Sequence, residues 1–133
     1  MSEKGEKFKM RKLNTIQKRG NLNTVYAVDE KGNGGANHRY QILSQPDKQN
    51  PEQFVDVIIQ FQNGARSEWG SISGVIDTDL LEIVRDRLKG FQDGKFATEY
   101  NAKALEYIEL ALMYMNRRVE DRIERGVLGL NKE

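Results

Sequence analysis

The chain has 133 residues, of which 31% are charged and 38% hydrophobic, enough for one domain with a modest core. It contains no cysteine, which excludes disulfides, thiolate catalysis and cysteine-ligated zinc. No apolar run reaches the roughly 18 residues of a membrane span, and the N-terminus lacks the apolar segment of a secretory signal, so we expect a cytoplasmic location.

The net charge of +1 conceals a basic N-terminal segment, residues 1–20. Its basic residues outnumber Glu3 and Glu6 by five charges: Lys4, Lys7, Lys9, Arg11, Lys12, Lys18 and Arg19. Such a segment contacts nucleic acid, solubilises a flexible end, or forms a first strand with charged faces. No zinc finger or RNA-recognition motif follows it, and these alternatives stay open. We predict one domain over residues 21–133, with a sheet over 21–76 and helices over 77–126.

Two segments rich in β-formers predict an antiparallel hairpin near the start of this domain. They are residues 24–28 (TVYAV) and 39–43 (RYQIL), and the glycine-rich run 31–35 (KGNGG) between them is typical of a turn. The free N–H groups of such a run can cradle a phosphate. The run lacks P-loop spacing and no helix follows it, so the phosphate signal is weak.

Residues 54–61 (FVDVIIQF) form the strongest strand pattern of the chain. Asn63-Gly64 follows directly, which is a strong short hairpin signal, so we expect residues 66–76 to return as the partner strand. Arg66 lies just past the predicted turn, where a lone arginine is usually solvated.

After residue 76 the pattern becomes helical. Asp77 or Thr78 is expected to cap the first helix, and Gly90 and Gly94 to end it near Phe91. Its predicted packing seam consists of Leu81, Val84, Leu88 and Phe91.

A long second helix of about 28 residues is predicted before Gly126, and it carries two lines of apolar side chains. The first line contains Leu105, Ile108, Leu112, Met115 and Val119. The second contains Ala104, Tyr107, Ala111 and Tyr114. Two lines indicate two partners, the preceding helix in an antiparallel hairpin and a second subunit. The predicted fold is therefore α+β, an N-terminal antiparallel sheet followed by a C-terminal helical hairpin.

Polar residues on these lines are candidate ligand contacts. Asn101 precedes the first line by one turn, and Arg118 and Arg122 lie one turn apart near the helix end. Two arginines at this spacing suit phosphate, and they equally suit ion pairs with the acidic residues around them. Phe91, between the helices, either plugs the core or stacks on a purine.

No catalytic or metal-binding set is apparent in the sequence. His38 is the only histidine and has no nucleophile nearby, while Glu99, Glu106 and Glu109 lie on the polar face of the long helix. We predict a non-enzymatic protein that needs no cofactor and no metal.

Four segments of the sequence carry a resemblance to a known family: GGANHRYQI, IIQFQNGARSEWGSISGV, LLEIVRDRLKGFQDGKF and NRRVEDRIERGV. Together they resemble the first family of phage Thoeris anti-defence proteins, whose helical hairpin is shared with anti-CBASS sponges. The resemblance runs from about residue 34 to residue 128. It does not reach the basic segment.

The resemblance implies that the protein sequesters glycocyclic ADP-ribose signals of bacterial TIR-domain enzymes without cleaving them, in the infected host cell. It implies a homo-oligomer, a dimer or a hexamer built as a trimer of dimers, and hexameric members also bind cyclic trinucleotides of CBASS at separate interfaces. The family's stacking aromatic, its asparagine, its two phosphate-binding arginines and a further arginine correspond to Phe91, Asn101, Arg118, Arg122 and Arg66.

Phe91 and Asn101 lie about 25 Å from the arginines along one helix, so the sequence predicts a site shared between two antiparallel subunits. Two rival hypotheses remain. One is a small phage nucleic-acid-binding or regulatory protein that uses the basic segment, and the other is a nucleotide hydrolase.

Overall fold

Four antiparallel strands followed by two helices form the described part of the chain, which confirms the predicted α+β class. The computed structural model describes residues 10–128. By its contacts the chain divides into a sheet unit, residues 10–63 with Ile72–Gly74, and a helical unit, Gly64–Ser71 with residues 75–128. The predicted boundary after residue 20 stays a prediction, and residues 1–9 of the basic segment lie outside the described range.

The sheet has the strand order β1-β2-β3-β4. Its strands are β1 (Arg11–Lys12), β2 (Asn23–Ala27), β3 (Arg39–Ser44) and β4 (Asp56–Gln60). The predicted β2–β3 hairpin is confirmed, and a short 3₁₀ turn at Asn33–Gly35 connects the two strands. Gly34 and Gly35 have positive φ angles of 73° and 80° there, which explains why glycine suits this turn.

Strand register aligns apolar side chains in rows across one face of the sheet. Val25 pairs with Ile42, and Ile42 pairs with Val57 on the next strand. Ala27, fully buried, pairs with Tyr40, whose ring makes an edge-to-face contact with Phe61 at 5.7 Å between centroids. These rows form an apolar face of the sheet, which is buried at Ala27 and still exposed at Val57.

The prediction of a return strand over residues 66–76 is wrong. Asn63 and Ile72 form an isolated bridge, and the Gly64–Ser71 segment between them consists of bends and turns. Gly64 and Gly70 have positive φ angles of 85° and 83°, a conformation incompatible with a regular ladder. Asn63-Gly64 does begin a chain reversal, but the segment that follows is a loop.

Helix α1 spans Asp77–Gln92, close to the predicted bounds. The predicted cap at Asp77 or Thr78 is wrong, because Ile76 occupies the N-cap position and its backbone N–H donates to the Asp79 carboxylate at 2.9 Å. The Asp79 carboxylate therefore accepts a hydrogen bond from the Ile76 N–H at the helix start, although Asp79 is not the N-cap residue.

Helix α2 spans Glu99–Glu124 and has a well-defined cap at each end. Thr98 is its N-cap, and the Thr98 hydroxyl accepts a hydrogen bond from the Asn101 backbone at 3.0 Å. At the other end Gly126 has a φ of 71°, its N–H donates to Ile123 and the Val127 N–H donates to Arg122. This pair of bonds is a Schellman cap, which fixes where the helix stops.

The two helices pack as the predicted hairpin, and their register is marked by a 2.8 Å hydrogen bond from Arg85 to Glu109. The first predicted line of α2 is the half-buried face, with Asn101 and Arg122 at its two ends. The α1 seam was partly mispredicted, because Val84 and Phe91 are exposed and lie beside the packed face. The half-buried positions of α1 are Thr78, Leu80, Leu81, Arg85, Leu88 and Gln92.

Helix α1 is about 24 Å long and α2 about 39 Å, at 1.5 Å per residue. The last turns of α2, which carry Arg118 and Arg122, therefore extend past the start of α1. Neither helix combines the length and apolar character that crossing a membrane requires, within residues 10–128.

Candidate functional site

An open depression of about 490 Å³ lies where the helical hairpin turns. Its lining residues are Phe91, Phe96, Thr98, Tyr100 and Asn101. The Gln92 side chain holds the turn closed, because its amide nitrogen donates to the Thr98 carbonyl at 3.3 Å and its oxygen accepts from the Thr98 N–H at 3.1 Å. These two bonds join the end of α1 to the start of α2, so the shape of the depression is held by two helix ends.

Phe91 and Asn101, separated by ten positions in sequence, both line this depression. Phe91 is 37% exposed, so it is not a buried core plug. The Arg87 guanidinium lies 5.4 Å from its ring centroid, a cation–π contact between residues one turn apart. Phe96 and Tyr100 add exposed rings, and this combination of aromatic faces and a cation suits a nucleobase near a phosphate.

The Asn101 side-chain amide is available to a ligand. Its backbone N–H is used by the Thr98 hydroxyl, but its side chain makes no hydrogen bond to any residue within 10–128. An amide carries both donor and acceptor capacity, which is what the edge of a base or ribose requires.

The arginine pair lies at the opposite end of α2. Arg118 is exposed and makes no hydrogen bond or ion pair with the described residues. Arg122 is half-buried, and its guanidinium donates to the Val127 carbonyl at 3.1 Å, so the helix cap positions its side chain. Asp121, a partner offered by the ion-pair alternative, is bonded by Arg125 at 3.0 Å.

A single chain does not bring the two groups of candidate residues together. Asn101 and Arg118 are about 25 Å apart along α2 at 1.5 Å per residue, and the helix is continuous between them. Arg66 lies exposed in the Gly64–Ser71 loop of the helical unit. The structure therefore assembles Phe91 with Asn101, and separately Arg118 with Arg122.

The outer side of α2 is unusually apolar for an exposed surface. Tyr107, Met113 and Tyr114 are each about 60% exposed or more, and Tyr100 is almost fully exposed. Beside them a shallow groove of about 270 Å³ runs along the same helix. The groove is lined by Ala102, Leu105, Glu106, Glu109, Leu110 and Met113.

Three residues at the site were missed by the sequence analysis: Arg87, Phe96 and Tyr100. Arg87 precedes Phe91 by four positions, so helical spacing alone would have placed its cation beside the ring. Phe96 and Tyr100 flank the Thr98 cap at the hairpin turn, where aromatic side chains have no core to enter.

Acidic and histidine side chains form no metal-binding group among the described residues. His38 belongs to the sheet unit, where it is buried and its Nδ1 has no hydrogen-bond partner among residues 10–128. The depression at the hairpin turn contains stacking and amide groups, with neither a carboxylate nor a histidine among its lining residues.

Comparison with known proteins shows what the hairpin is. Residues 54–120, about half of the chain, match the family described as "Acb2/Tad1, hairpin domain". The chain belongs to the Acb2/Tad1 hairpin family. Arg66, Phe91, Asn101 and Arg118 lie inside the matched residues of the Acb2/Tad1 hairpin, and Arg122 lies just beyond them.

One curated relative is "Thoeris anti-defense 1" of Bacillus phage SBSphiJ7, which is 39% identical over 75 residues. The alignment covers 56% of this chain and 52% of the relative, so the chain matches about half the length of that protein. The resemblance to Thoeris anti-defence proteins that the sequence strings suggested is confirmed.

Proposed function

We propose that this protein is a Thoeris anti-defence protein that sequesters glycocyclic ADP-ribose, the signal made by TIR-domain enzymes, in the cytoplasm of an infected bacterium. The observation that carries the proposal is the arrangement on α2: an aromatic depression with an available amide at one end and an arginine pair at the other. The name of the relative from a Bacillus phage gives independent support.

Each group has a role that matches one part of such a ligand. Phe91 stacks on the adenine, and Asn101 bonds the edge of the base or a ribose hydroxyl. Arg118 and Arg122 donate charge-assisted hydrogen bonds to the pyrophosphate, whose oxygens suit the planar guanidinium fork. Arg66 is proposed as an additional cation at this site.

The distance along α2 supports a site that is shared between two subunits. An antiparallel second copy, packed along the exposed Tyr107 and Tyr114 side of α2, would bring its arginines beside this chain's Phe91. Two-fold symmetry then creates two identical sites per dimer. The exposed side chains of Tyr107, Met113 and Tyr114 support this packing, because an exposed apolar surface is typical of a protein interface.

The chemistry of the proposed groups supports binding without cleavage. A guanidinium stays protonated and cannot act as a general base, and neither a phenyl ring nor an amide is a nucleophile. The Thr98 hydroxyl is already engaged in capping α2. Assembly into a hexamer and binding of cyclic trinucleotides stay predictions from the family resemblance.

The test is capture followed by release. The protein is incubated with purified glycocyclic ADP-ribose, separated from free ligand by filtration, and then heated until it denatures. A sequestering protein depletes the filtrate and returns intact ligand on heating, as judged by chromatography and mass. Recovery of fragments would identify a hydrolase, and an undepleted filtrate would refute the proposal.

The Phe91→Ala variant is the binding-deficient control for this assay. Loss of base stacking should weaken binding by about 1–3 kcal/mol, and less ligand should be retained on the filter. A Tyr26→Phe variant, altered in the sheet unit, is the matched aromatic control and should retain the ligand fully.

A further inference from the structure

A polar cleft of about 470 Å³ lies beside β1 and β2 in the sheet unit. It is lined by the irregular segment between these strands, by the start of β2, and by Gln45 just after β3. The matched hairpin residues, 54–120, do not include any residue of this cleft. Its volume lies within the usual range for small-molecule sites, roughly 300–1,000 Å³.

Local hydrogen bonds hold the segment in shape. The Gln17 carbonyl accepts from the Thr15 hydroxyl at 2.7 Å and from the Asn21 amide at 3.2 Å, while the Gln17 side chain donates to Arg19 at 3.1 Å. Gly20, with a φ of 72°, reverses the chain toward β2. The wall of the cleft is therefore ordered before any ligand arrives, which lowers the entropic cost of binding.

Three cations at the cleft face no opposing charge from the described residues. Lys12, Lys18 and Arg19 line it, and none of its lining residues is acidic. Lys18 bonds the neutral side chain of Asn14, and none of the three cations forms an ion pair with a residue in the described range. Uncompensated charge of one sign in a cleft attracts an anion.

Amide and hydroxyl groups complete the lining, from Asn14, Asn21, Asn23, Thr24 and Gln45. The Gln45 amide is oriented by a hydrogen bond to the Thr24 hydroxyl and by the backbone bond from Gln45 to Leu22 at 2.8 Å. Among residues 10–128 no aromatic side chain lines the cleft, so this part of the chain offers no platform there for stacking a base. The lining suits phosphate oxygens and not the recognition of a base.

We propose that this cleft is a second, separate anion site that binds a ligand through two or more adjacent phosphate groups. Lys18 and Arg19 supply the principal charge, Lys12 supports them, and the amides donate neutral hydrogen bonds. Because the recognition is of phosphate alone, the ligand is either a free polyphosphate or the backbone of a single nucleic-acid strand. This site uses none of the residues proposed to bind glycocyclic ADP-ribose.

Two probes distinguish these sources in calorimetric titrations at low salt: inorganic tripolyphosphate and a single-stranded DNA of twelve mixed nucleotides. The test variant is the double substitution Lys18→Gln and Arg19→Gln. The control is Lys31→Gln with Lys48→Gln, which removes the same charge from exposed positions outside the cleft. Thermal unfolding checks that both variants are folded.

We expect at least one probe to bind, the cleft variant to lose about tenfold or more in affinity, and the control to lose about twofold or less. Tighter binding of the DNA, with a salt slope of about 0.7 per phosphate contacted, would indicate a strand, and preference for tripolyphosphate a free polyphosphate. Equal losses in the two variants, or no binding of either probe, would overturn the proposal. Retention of glycocyclic ADP-ribose by the cleft variant is a separate readout, so failure here does not bear on the proposed function.

Discussion

If each site is shared between two subunits, two different binding-deficient variants should restore ligand binding when they are combined in one dimer. A site within one chain does not allow this restoration. Phe91→Ala damages the stacking end of α2, and Arg122→Gln damages the phosphate end. In a mixed dimer, one shared site receives both substitutions and the other receives neither. Purified mixed dimers should therefore contain about one intact site, against two in the wild type.

The magnitude follows from the contacts that each variant loses. Removing the Phe91 ring should cost about 1–3 kcal/mol of stacking, and removing one charge-assisted hydrogen bond about 1.5–3 kcal/mol. The Phe91→Ala homodimer then binds at least about fivefold more weakly and the Arg122→Gln homodimer at least about tenfold more weakly, since roughly 1.4 kcal/mol is a factor of ten. The mixed dimer should recover wild-type affinity at half the wild-type stoichiometry.

The assay uses two differently tagged chains, produced together and isolated through both tags in sequence, followed by titration with glycocyclic ADP-ribose. The control combines Arg118→Gln with Arg122→Gln, because both substitutions damage the same end of α2 and leave no intact site in the mixed dimer. Wild-type affinity in the control, or no recovery in the first combination, would refute a site shared in this way.

Four further predictions concern the single chain and its assembly. Arg118→Gln and Arg122→Gln should each weaken glycocyclic ADP-ribose binding about tenfold or more, as measured by calorimetry. The control Arg117→Gln, whose guanidinium lies over the Tyr114 ring, should not weaken it. If all three variants bind as tightly as the wild type, Arg118 and Arg122 form only ion pairs on the helix surface. Gly74→Ala should destabilise the protein by about 1–3 kcal/mol in urea unfolding, because the added Cβ would lie 2.2 Å from a backbone oxygen. Gly90→Ala, in the open interior of α1, should instead stabilise it by about 0.5–1 kcal/mol. Light scattering at micromolar concentration should give at least a dimer mass, and a monomer mass would also remove the basis of the shared site.

The sequence by itself located β2, β3, β4 and both helices, because that information is local, whereas a first strand was only one of three alternatives for the basic segment. Alternation of β-formers identified β2, β3 and β4, and the three-and-four spacing on α2 identified the face that is half-buried. Gly126, which follows the C-cap of α2, is also a local signal, since its positive φ angle acts within one turn, whereas the Thr98 cap was not predicted. The resemblance to a family then named the candidate residues.

Predictions from local sequence patterns were wrong where a contact between residues distant in sequence determines the structure. Asn63-Gly64 predicted a turn and a return strand, but a strand also needs a partner along its whole length, and the Gly64–Ser71 segment forms a loop instead. On α1, apolar spacing favoured Val84 over Arg85 for the packed face. Arg85 is half-buried because the Glu109 carboxylate meets it across the hairpin, and the carboxylates of Glu109 and Glu82 raise the pKa of its guanidinium.

Only the tertiary structure decided which candidate residues meet. The hairpin turn brings Phe91 beside Asn101 and adds Phe96 and Tyr100, while the rigid length of α2 keeps the arginines about 25 Å away. The cleft beside β1 likewise arises from a chain reversal at Gly20 that no periodicity reveals. Residue spacing fixes positions along one element, but the packing of elements against each other decides which side chains form a site.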